Sequence, residues 1–238
     1  MIGNMADYTE LLKQIDGGRV LDAATGSGGF IHFLCENLKS YQEIVGVDAN
    51  PRLELAFQEA FKERGNLRFA VGDVRYLDYA GASFDTVAMA NSLHHLDDPV
   101  GALRELLRVL SPGGNLILLE MYCDGQSETQ MTHVHLHHWW AAVDMANGVV
   151  HHETYRRADL LALLEGFELA DLRIVEINET ADDPRDPEIQ QQLDPVIDRY
   201  IQRADGHPHL QRRGEELRRR VAEIGFHSTA SILFLGRK

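Results

Sequence analysis

The stretch Arg19-Val-Leu-Asp-Ala-Ala-Thr-Gly-Ser-Gly-Gly29 decides the fold of this 238-residue chain. Its first part is a short apolar run that stops at Asp22, and its second part is a glycine-rich loop. A helix pattern follows from Phe30 to Leu38. Glycines between a strand and a helix let the backbone turn tightly and approach a ligand closely. The stretch therefore predicts a strand, a ligand-binding turn and a helix.

The same alternation of strand and helix continues after this loop. Helix patterns begin at Asn50-Pro51 and at Asp98-Pro99, where an N-cap residue precedes a first-turn proline. Such alternation predicts a parallel sheet that is covered on both faces and binds ligands at the carboxyl edge of its strands. The strand patterns cover residues 43–48, 67–71, 84–90 and 115–120, and Asp22, Asp48, Asp73 and Asn91 fall at the ligand edge.

The pattern becomes less regular after Glu120. We predict a single α/β domain. Its sheet is mostly parallel and seven-stranded with one antiparallel strand, and the domain has helices on both faces and helical lid insertions. The core covers about residues 15–120, 156–179 and 226–238, whereas residues 121–155 and 180–225 form the insertions, and the last two strands lie at 172–177 and 229–235.

Composition narrows the classes of function. The chain has 23 basic and 37 acidic residues and therefore a net charge of −14. This excess of negative charge disfavours binding to nucleic acid or to anionic membranes. No apolar stretch has the length of a membrane span, and Met1 to Glu10 does not resemble a secretory signal. Cys35 and Cys123 fit reduced thiols. We expect a cytoplasmic protein whose partner is a small molecule.

Asp22 to Gly28 resembles the first motif of the class I S-adenosylmethionine-dependent methyltransferases, D-x-A-x-G-x-G. Further segments resemble the same family in order, namely Asp48, Gly72-Asp73-Val74, Asn91 to Leu96 and Leu110-Ser-Pro-Gly-Gly114. The resemblance implies a Rossmann-like fold, S-adenosylmethionine as the cofactor, S-adenosylhomocysteine as the product and methyl transfer by in-line displacement. It implies as cofactor-binding residues Asp22, Ala24, Gly26, Ser27, Gly28, Asp48, Ala49, Asp73, Val74, Asn91 and Ser92.

The resemblance also implies separate roles for these residues. The acid at the position of Asp48 holds both ribose hydroxyls, and a carboxylate can accept two such hydrogen bonds. The acid at the position of Asp73 accepts a hydrogen bond from the adenine amino group, while the next backbone N–H, that of Val74, reaches a ring nitrogen. Asn91 and Ser92 border the methionine end of the cofactor.

A nicotinamide-dependent oxidoreductase is the rival interpretation of the glycine loop. Asp48 follows Gly28 by 20 residues, as the dinucleotide fingerprint also requires. However, Ile31 stands where that fingerprint needs its third glycine, and the carboxylate of Asp22 is an awkward neighbour for a pyrophosphate. A non-catalytic module that holds the cofactor or a metal is the alternative from another class, because methyl transfer needs no signature base.

Candidate residues for the chemistry follow the fourth and fifth strands or lie in the first insertion. We predict His95 and Glu120 as catalytic, since a general base is needed only when the acceptor is protonated at neutral pH. For the substrate site we predict His94, Tyr122, His137, His138 and Trp139.

Histidines are unusually frequent, with 12 in the chain. If residues 133–147 are helical, His133 and His137 are one turn apart and could chelate a transition metal with a third ligand such as His151 or His152. The chain has no HExxH motif and no cysteine pair. We therefore assign no metal and leave the cluster open between a metal site, an acceptor pocket and a polar helix.

Two further features bear on the partners. The branch of the family that methylates DNA amino groups carries a proline-rich, aromatic-ended motif after the fourth strand, where this chain has Asn91-Ser-Leu-His94. This difference favours a small-molecule acceptor. The apolar faces of the helices in residues 180–225 need a partner, and a homodimer is one way to cover them.

Overall fold

A seven-stranded sheet forms the centre of the computed structural model, which describes residues 5–238. The strands are β1 (Arg19–Ala23), β2 (Glu43–Asp48), β3 (Leu67–Val71), β4 (Phe84–Ala90), β5 (Leu110–Met121), β6 (Ala170–Ile177) and β7 (Ser231–Arg237). Their order across the sheet is β3-β2-β1-β4-β5-β7-β6. Strands β1 to β5 pair in parallel, and β7 runs antiparallel to both of its neighbours. The predicted sheet, with its one antiparallel strand, is confirmed.

Helices pack on both faces of this sheet. They are α1 (Met5–Leu12), α2 (Gly29–Asn37), α3 (Glu54–Ala60), α4 (Pro99–Val109), α5 (Glu128–Ala146), α6 (Arg157–Glu165), α7 (Pro187–Arg203) and α8 (Pro208–Ile224). Three of them begin with proline, which suits a first turn because no backbone N–H is needed there. The side chains of Asp98 and Asp186 cap α4 and α7 by accepting hydrogen bonds from backbone N–H groups.

Two apolar clusters, one on each side of the sheet, hold these helices. One cluster contains Leu34 of α2 and Phe57 of α3, both buried against Ile44. The other contains Leu103 of α4 and Leu160 of α6. Burying such side chains is the main stabilising contribution to a sheet that has two covered faces.

A third apolar cluster joins α5, α7 and α8 into a separate helical layer. Its centre is Trp139, which is 3% exposed and packs with Ile197 of α7 and Leu217 of α8. A side chain at Gly214 would put its Cβ 2.5 Å from Trp139, so the glycine lets α8 approach α5 closely. No helix in the described part of the chain combines the length and apolar character that a membrane crossing needs.

The predicted boundaries agree well with the observed ones. Residues 43–48, 67–71 and 84–90 are strands as predicted. The helix predicted to begin at Asn50-Pro51 opens with a short 3-10 turn at Pro51–Leu53 and continues as α3 to Ala60. Strand β5 begins at Leu110 rather than at residue 115, because Leu110 pairs with Phe84 ahead of the Gly113 turn.

Candidate active site

A cavity of about 1080 Å³ opens at the carboxyl edge of β1 to β4. This is the edge at which parallel α/β sheets bind ligands. Other depressions, of about 520 and 650 Å³, lie near the amino ends of the strands, beside Asp16 and Asn115. The predicted cofactor residues that line the large cavity are Ala24, Asp48, Ala49, Asp73, Val74, Asn91 and Ser92. Asp22, Gly26, Ser27 and Gly28 are not among the described residues that line it.

The glycine-rich loop is held in place by Asp48. One carboxylate oxygen of Asp48 accepts a hydrogen bond from Gly26 N at 2.9 Å, and the other accepts one from Asn50 N at 2.9 Å. Gly28 has a φ of 94°, and a Cβ there would lie 2.3 Å from the ring of Phe61. Gly28 therefore cannot be replaced without a shift of the loop or of this ring. A carboxylate offers about four acceptor positions, so Asp48 keeps two for a ligand.

Asp22 lies behind the loop and is 1% exposed. Its Oδ2 accepts a hydrogen bond from the Thr25 hydroxyl at 2.5 Å, whereas its Oδ1 is buried and has no partner among the described residues. Burial, together with the negative charge of Asp48, raises the pKa of Asp22 from 3.8 to about 7, against the effect of the Thr25 hydrogen bond. The structure thus keeps a carboxylate where its charged form is costly.

We expect Asp22→Asn to become more stable relative to the parent chain as the pH rises. Between pH 3.8 and about 7 the folded parent holds a proton that the unfolded chain releases, so the parent's stability falls with rising pH and stays low above that range. Asparagine does not titrate. Urea denaturation at about pH 4 and about pH 8 measures the difference. The exposed control Asp78→Asn should show no such divergence, and parallel stability curves for parent and Asp22→Asn would contradict the assignment.

Asp73 follows β3 and faces the cavity beside Arg75. Arg75 donates to Asp73 Oδ2 at 2.6 Å from its terminal nitrogen and to Oδ1 at 3.0 Å from Nε. This ion pair lowers the pKa of Asp73 although partial burial opposes the shift. Asp73 is therefore a charged acceptor whose orientation is fixed by a neighbouring cation. Both side chains are about two-fifths exposed, so a ligand can reach them.

The loop after β4 carries Asn91 and Ser92 at the cavity wall. Asn91 has a φ of 45°, a left-handed conformation that is uncommon outside glycine and occurs at functional sites. Its side-chain oxygen accepts a hydrogen bond from Met121 N at 3.1 Å. Ala24, in the glycine loop opposite, also has a positive φ, of 54°. Two of the four non-glycine residues with positive φ in the described chain thus line this cavity.

Glu120 fixes this loop from within the core. It is 1% exposed, and its Oε2 accepts hydrogen bonds from Ser92 N and Leu93 N, each at 3.0 Å. Its Oε1 lies 2.7 Å from Nδ1 of His94, which is itself fully buried. Glu120 is not among the described residues that line the cavity. The predicted catalytic Glu120 therefore lies where it can orient other groups, and its direct role in catalysis stays a prediction.

His95, the other predicted catalytic residue, does line the cavity. Its ring centroid lies 4.0 Å from that of His151 and 4.4 Å from that of His94. Desolvation, followed by the neighbouring imidazoles, lowers the pKa of His95, even though more than a third of the residue is exposed. His95 is thus neutral near pH 7 and suits hydrogen bonding or metal binding better than storage of a proton.

The predicted substrate residues do not lie together. His94 and His137 lie together beside His95, with their ring centroids 4.8 Å apart. Tyr122 is buried in the sheet core, and Trp139 is buried in the helical layer, where its Nε1 donates to Leu210 O at 2.8 Å. His138 is partly buried, and its Nε2 lies 3.0 Å from the Thr154 hydroxyl. None of these five residues is among the described residues that line the cavity.

The structure also brings residues to the cavity that the sequence pattern did not reveal. Val149 and Val150 follow α5, and Tyr200 lies in α7, and these three line the end of the cavity next to His95. Tyr200 donates a hydrogen bond to Asp144 at 3.1 Å. The sequence predicted apolar faces for the helices in residues 180–225 but did not single out Tyr200. Tyr200 is far along the chain from the strands that end at the cavity, so no local sequence motif predicts its position there.

The fold and this site together define a class of protein. A glycine turn follows β1, carboxylates follow β2 and β3, and β7 is antiparallel, which is the arrangement that the resemblance to class I methyltransferases predicts. Residues 21–118 match the family described as a methyltransferase domain. This match covers about two fifths of the chain and supports the resemblance to the class I S-adenosylmethionine-dependent methyltransferases that the sequence motifs predicted.

Known proteins resemble the chain to different extents. A demethylmenaquinone methyltransferase of Deinococcus radiodurans is 46% identical over 103 residues, which are 43% of this chain and 42% of that protein. The chain thus matches less than half the length of this relative. The solved [4+2]-cyclase SpnF matches this chain with a TM-score of 0.62 and 22% identity. The match covers 98% of this chain and 79% of the SpnF chain.

A second solved structure is phosphoethanolamine N-methyltransferase 2 of Haemonchus contortus, which holds phosphomonomethylethanolamine and S-adenosylhomocysteine. It has a TM-score of 0.57 and 13% identity, covering 98% of this chain and 53% of that one. At such identities the two solved proteins establish the shared fold alone. The predicted fold class is confirmed.

Proposed function

We propose that this protein is a methyltransferase that binds S-adenosylmethionine in the large cavity and transfers its methyl group to a small molecule. The observation that carries the proposal is the pair of cavity-lining carboxylates, Asp48 after β2 and Asp73 after β3, opposite the glycine loop. Asp48 keeps acceptor positions for two ribose hydroxyls. Asp73, oriented by Arg75, would accept a hydrogen bond from the adenine amino group.

The proposed set of cofactor-binding residues includes all those that the family motifs imply, also the ones that do not line the large cavity. Gly26 and Ser27 belong to the loop that Asp48 holds, and Gly28 precedes the first turn of α2. Asp22 supports that loop through Thr25. Ala49 and Val74 flank the two carboxylates, and Asn91 and Ser92 would border the methionine end.

Methyl transfer requires alignment more than acid–base chemistry. The acceptor's lone pair attacks the methyl carbon as the carbon–sulfur bond breaks, and the bonding electrons return to sulfur, leaving S-adenosylhomocysteine. Since the sulfonium is already activated, the chain contributes by aligning the two partners and excluding water. His95 lies in the wall near Ser92 and would orient the acceptor, while Glu120 would act as a positioning residue through its hydrogen bonds to this loop.

We propose that the two insertions form the helical layer that closes the acceptor end of the cavity. Val149 and Val150 come from residues 121–155, and Tyr200 comes from residues 180–225. The trio of α5, α7 and α8 shares one apolar cluster, so the layer can act as a unit over the single sheet domain. This arrangement supports the predicted division into core and insertions.

The acceptor is proposed only as a small molecule. The Deinococcus relative is named for demethylmenaquinone, but the matching family segment ends at residue 118. The residues that close the acceptor end, Val149, Val150 and Tyr200, lie beyond that segment. The relative's acceptor is therefore not transferred to this chain.

Calorimetric titration of the purified chain with S-adenosylhomocysteine tests the proposal, with NADH and NADPH as controls. We expect one binding site with a Kd of about 1 μM and no heat from either nicotinamide. Such a result would justify a screen of acceptors. Binding of a nicotinamide alone would establish the rival dinucleotide interpretation of Asp48, and binding of none of the three would contradict the cofactor assignment.

A further inference from the structure

Four histidines from three separate parts of the chain lie together beside the cavity. His94 and His95 belong to the short turn after β4, His137 lies in α5, and His151 lies between α5 and α6. One ring nitrogen from each lies within 4.8 Å of those of the other three. His94, His137 and His151 are buried, and His95 is exposed at the cavity wall.

Three nitrogens of this cluster are buried and have no hydrogen-bond partner among the described residues. They are Nε2 of His94, Nδ1 of His137 and Nε2 of His151. Buried polar atoms are almost always paired, and leaving one unpaired is costly. Three unpaired imidazole nitrogens within one cluster of four histidines therefore call for a common partner.

Two of the four rings are oriented by buried carboxylates. Nδ1 of His94 lies 2.7 Å from Glu120, and Nδ1 of His151 lies 2.8 Å from Asp144. Asp144 is in turn held by Arg203 and by the hydroxyl of Tyr200. A carboxylate at Nδ1 places the proton there and leaves Nε2 with a free lone pair, which is the usual arrangement behind a metal-bound histidine.

We propose that His94, His95, His137 and His151 bind one divalent transition-metal ion of the zinc class. Imidazole nitrogens suit zinc, copper, nickel and cobalt, whereas magnesium and calcium prefer oxygen ligands. Zinc–nitrogen distances of about 2.0–2.1 Å put tetrahedral ligand atoms about 3.3 Å apart. The cluster would need to contract only modestly from its present spacing of 4.8 Å or less.

The ion would join three parts of the chain that already pack against one another beside the cavity. It would tie the turn after β4 to α5 and to the segment that contains His151, where His152 N already donates to His94 O at 2.8 Å. Since His95 lines the cavity, the ion would stiffen the wall next to Val150. The statement that this wall faces the acceptor rests on the proposed function. The proposed metal binding does not depend on that function.

The arrangement differs from the simple one-turn pair that the sequence suggested. His133 is occupied elsewhere, because its Nδ1 accepts a hydrogen bond from Thr229 N at 3.0 Å. His152 is exposed and lies 3.4 Å from Asp97. Of the residues considered from sequence, His137 and His151 belong to the cluster, and the adjacent His94 and His95 complete it.

Metal titration of the full chain, freed of metal by a chelator, tests the proposal. We expect Zn²⁺ to bind with a stoichiometry of one by calorimetry, and Co²⁺ to give the visible absorption bands of a tetrahedral nitrogen site. His137→Ala and His95→Ala should each weaken Zn²⁺ binding by at least about tenfold. Because His95 is exposed, its replacement should leave the fold intact, which circular dichroism checks.

His135→Ala is the matched control, since His135 lies on the same helix but outside the cluster. It should bind Zn²⁺ as the parent chain does. Equal affinities for parent, His95→Ala and His135→Ala, or no stoichiometric binding by the folded parent, would overturn the metal site. Titration of the same samples with S-adenosylhomocysteine keeps this outcome separate from failure of the proposed function.

Discussion

Asp48→Ala is expected to weaken binding of S-adenosylhomocysteine by at least about tenfold. The substitution would remove the carboxylate proposed to accept two hydrogen bonds from the ribose, and it also removes the acceptor that holds Gly26 N and Asn50 N. Calorimetric titration measures the change. Glu59→Ala is the control, because Glu59 is an exposed acid in α3 whose ion pair with Lys62 lies on the surface.

A 2′-deoxy analogue of S-adenosylhomocysteine separates the ribose contact from a general effect on the loop. If Asp48 accepts a hydrogen bond from the 2′-hydroxyl, the parent chain should bind the analogue more weakly than the natural compound. Asp48→Ala should bind the two compounds alike, since the partner of that hydroxyl is already gone. If the parent and the variant prefer the natural compound over the 2′-deoxy analogue to the same extent, the ribose assignment is wrong, whatever the loss in overall affinity.

Much of the sheet was predictable, because its signals are local. The apolar runs that end at Asp22, Asp48 and Gly72 are short and bounded by turn residues, so their lengths and ends follow from the pattern. Parallel topology then places their carboxyl ends at one edge without any knowledge of packing. For this reason Asp48 and Asp73 were predicted at the cavity, where the structure has them.

The acceptor end was less predictable, because its residues meet through tertiary packing. In α5 the residues Trp139 and Trp140 are neighbours in sequence and both lie near Tyr200, but Trp139 is buried and Trp140 is only partly buried. Trp139 points into the helical layer, while Trp140 lies between His137 and Tyr200, with ring centroids 5.9 and 5.8 Å away. Helical spacing defines faces, but only the positions of α7 and α8 decide which face is core.

The histidines illustrate the same limit. A spacing of one turn within α5 suggested His133 with His137, yet His137 meets His94 and His151, which are distant in sequence. Glu120 was predicted as a catalytic residue and not as the partner of His94, and Asp144, the partner of His151, was not singled out from the sequence. Clusters that are built from three elements become visible only once the elements are packed.

Trp139→Ala is expected to lower the free energy of unfolding by about 3–5 kcal/mol. Trp139 is the centre of the cluster that joins α5, α7 and α8, and its indole N–H donates to Leu210 O at 2.8 Å. Truncation leaves a cavity beside Gly214, which has no side chain to fill it. Urea denaturation followed by far-ultraviolet circular dichroism measures the loss. Met145→Ala, at an exposed position of the same helix, should cost much less.

The same variant tests whether the effect of Trp139 is confined to the stability of the helical layer or extends to the cofactor site. If Trp139 contributes only to stability, the affinity of Trp139→Ala for S-adenosylhomocysteine should stay close to that of the parent chain. The reason is that Asp48 and Asp73 lie at the sheet edge and not in the helical layer. Trp139→Phe should recover part of the stability, since it restores aromatic volume but leaves the Leu210 carbonyl without its donor. A Trp139→Ala chain that keeps parental stability would show that α5, α7 and α8 do not depend on this indole. The helical layer would then have to be held by its remaining apolar contacts, among them Ile197 and Leu217.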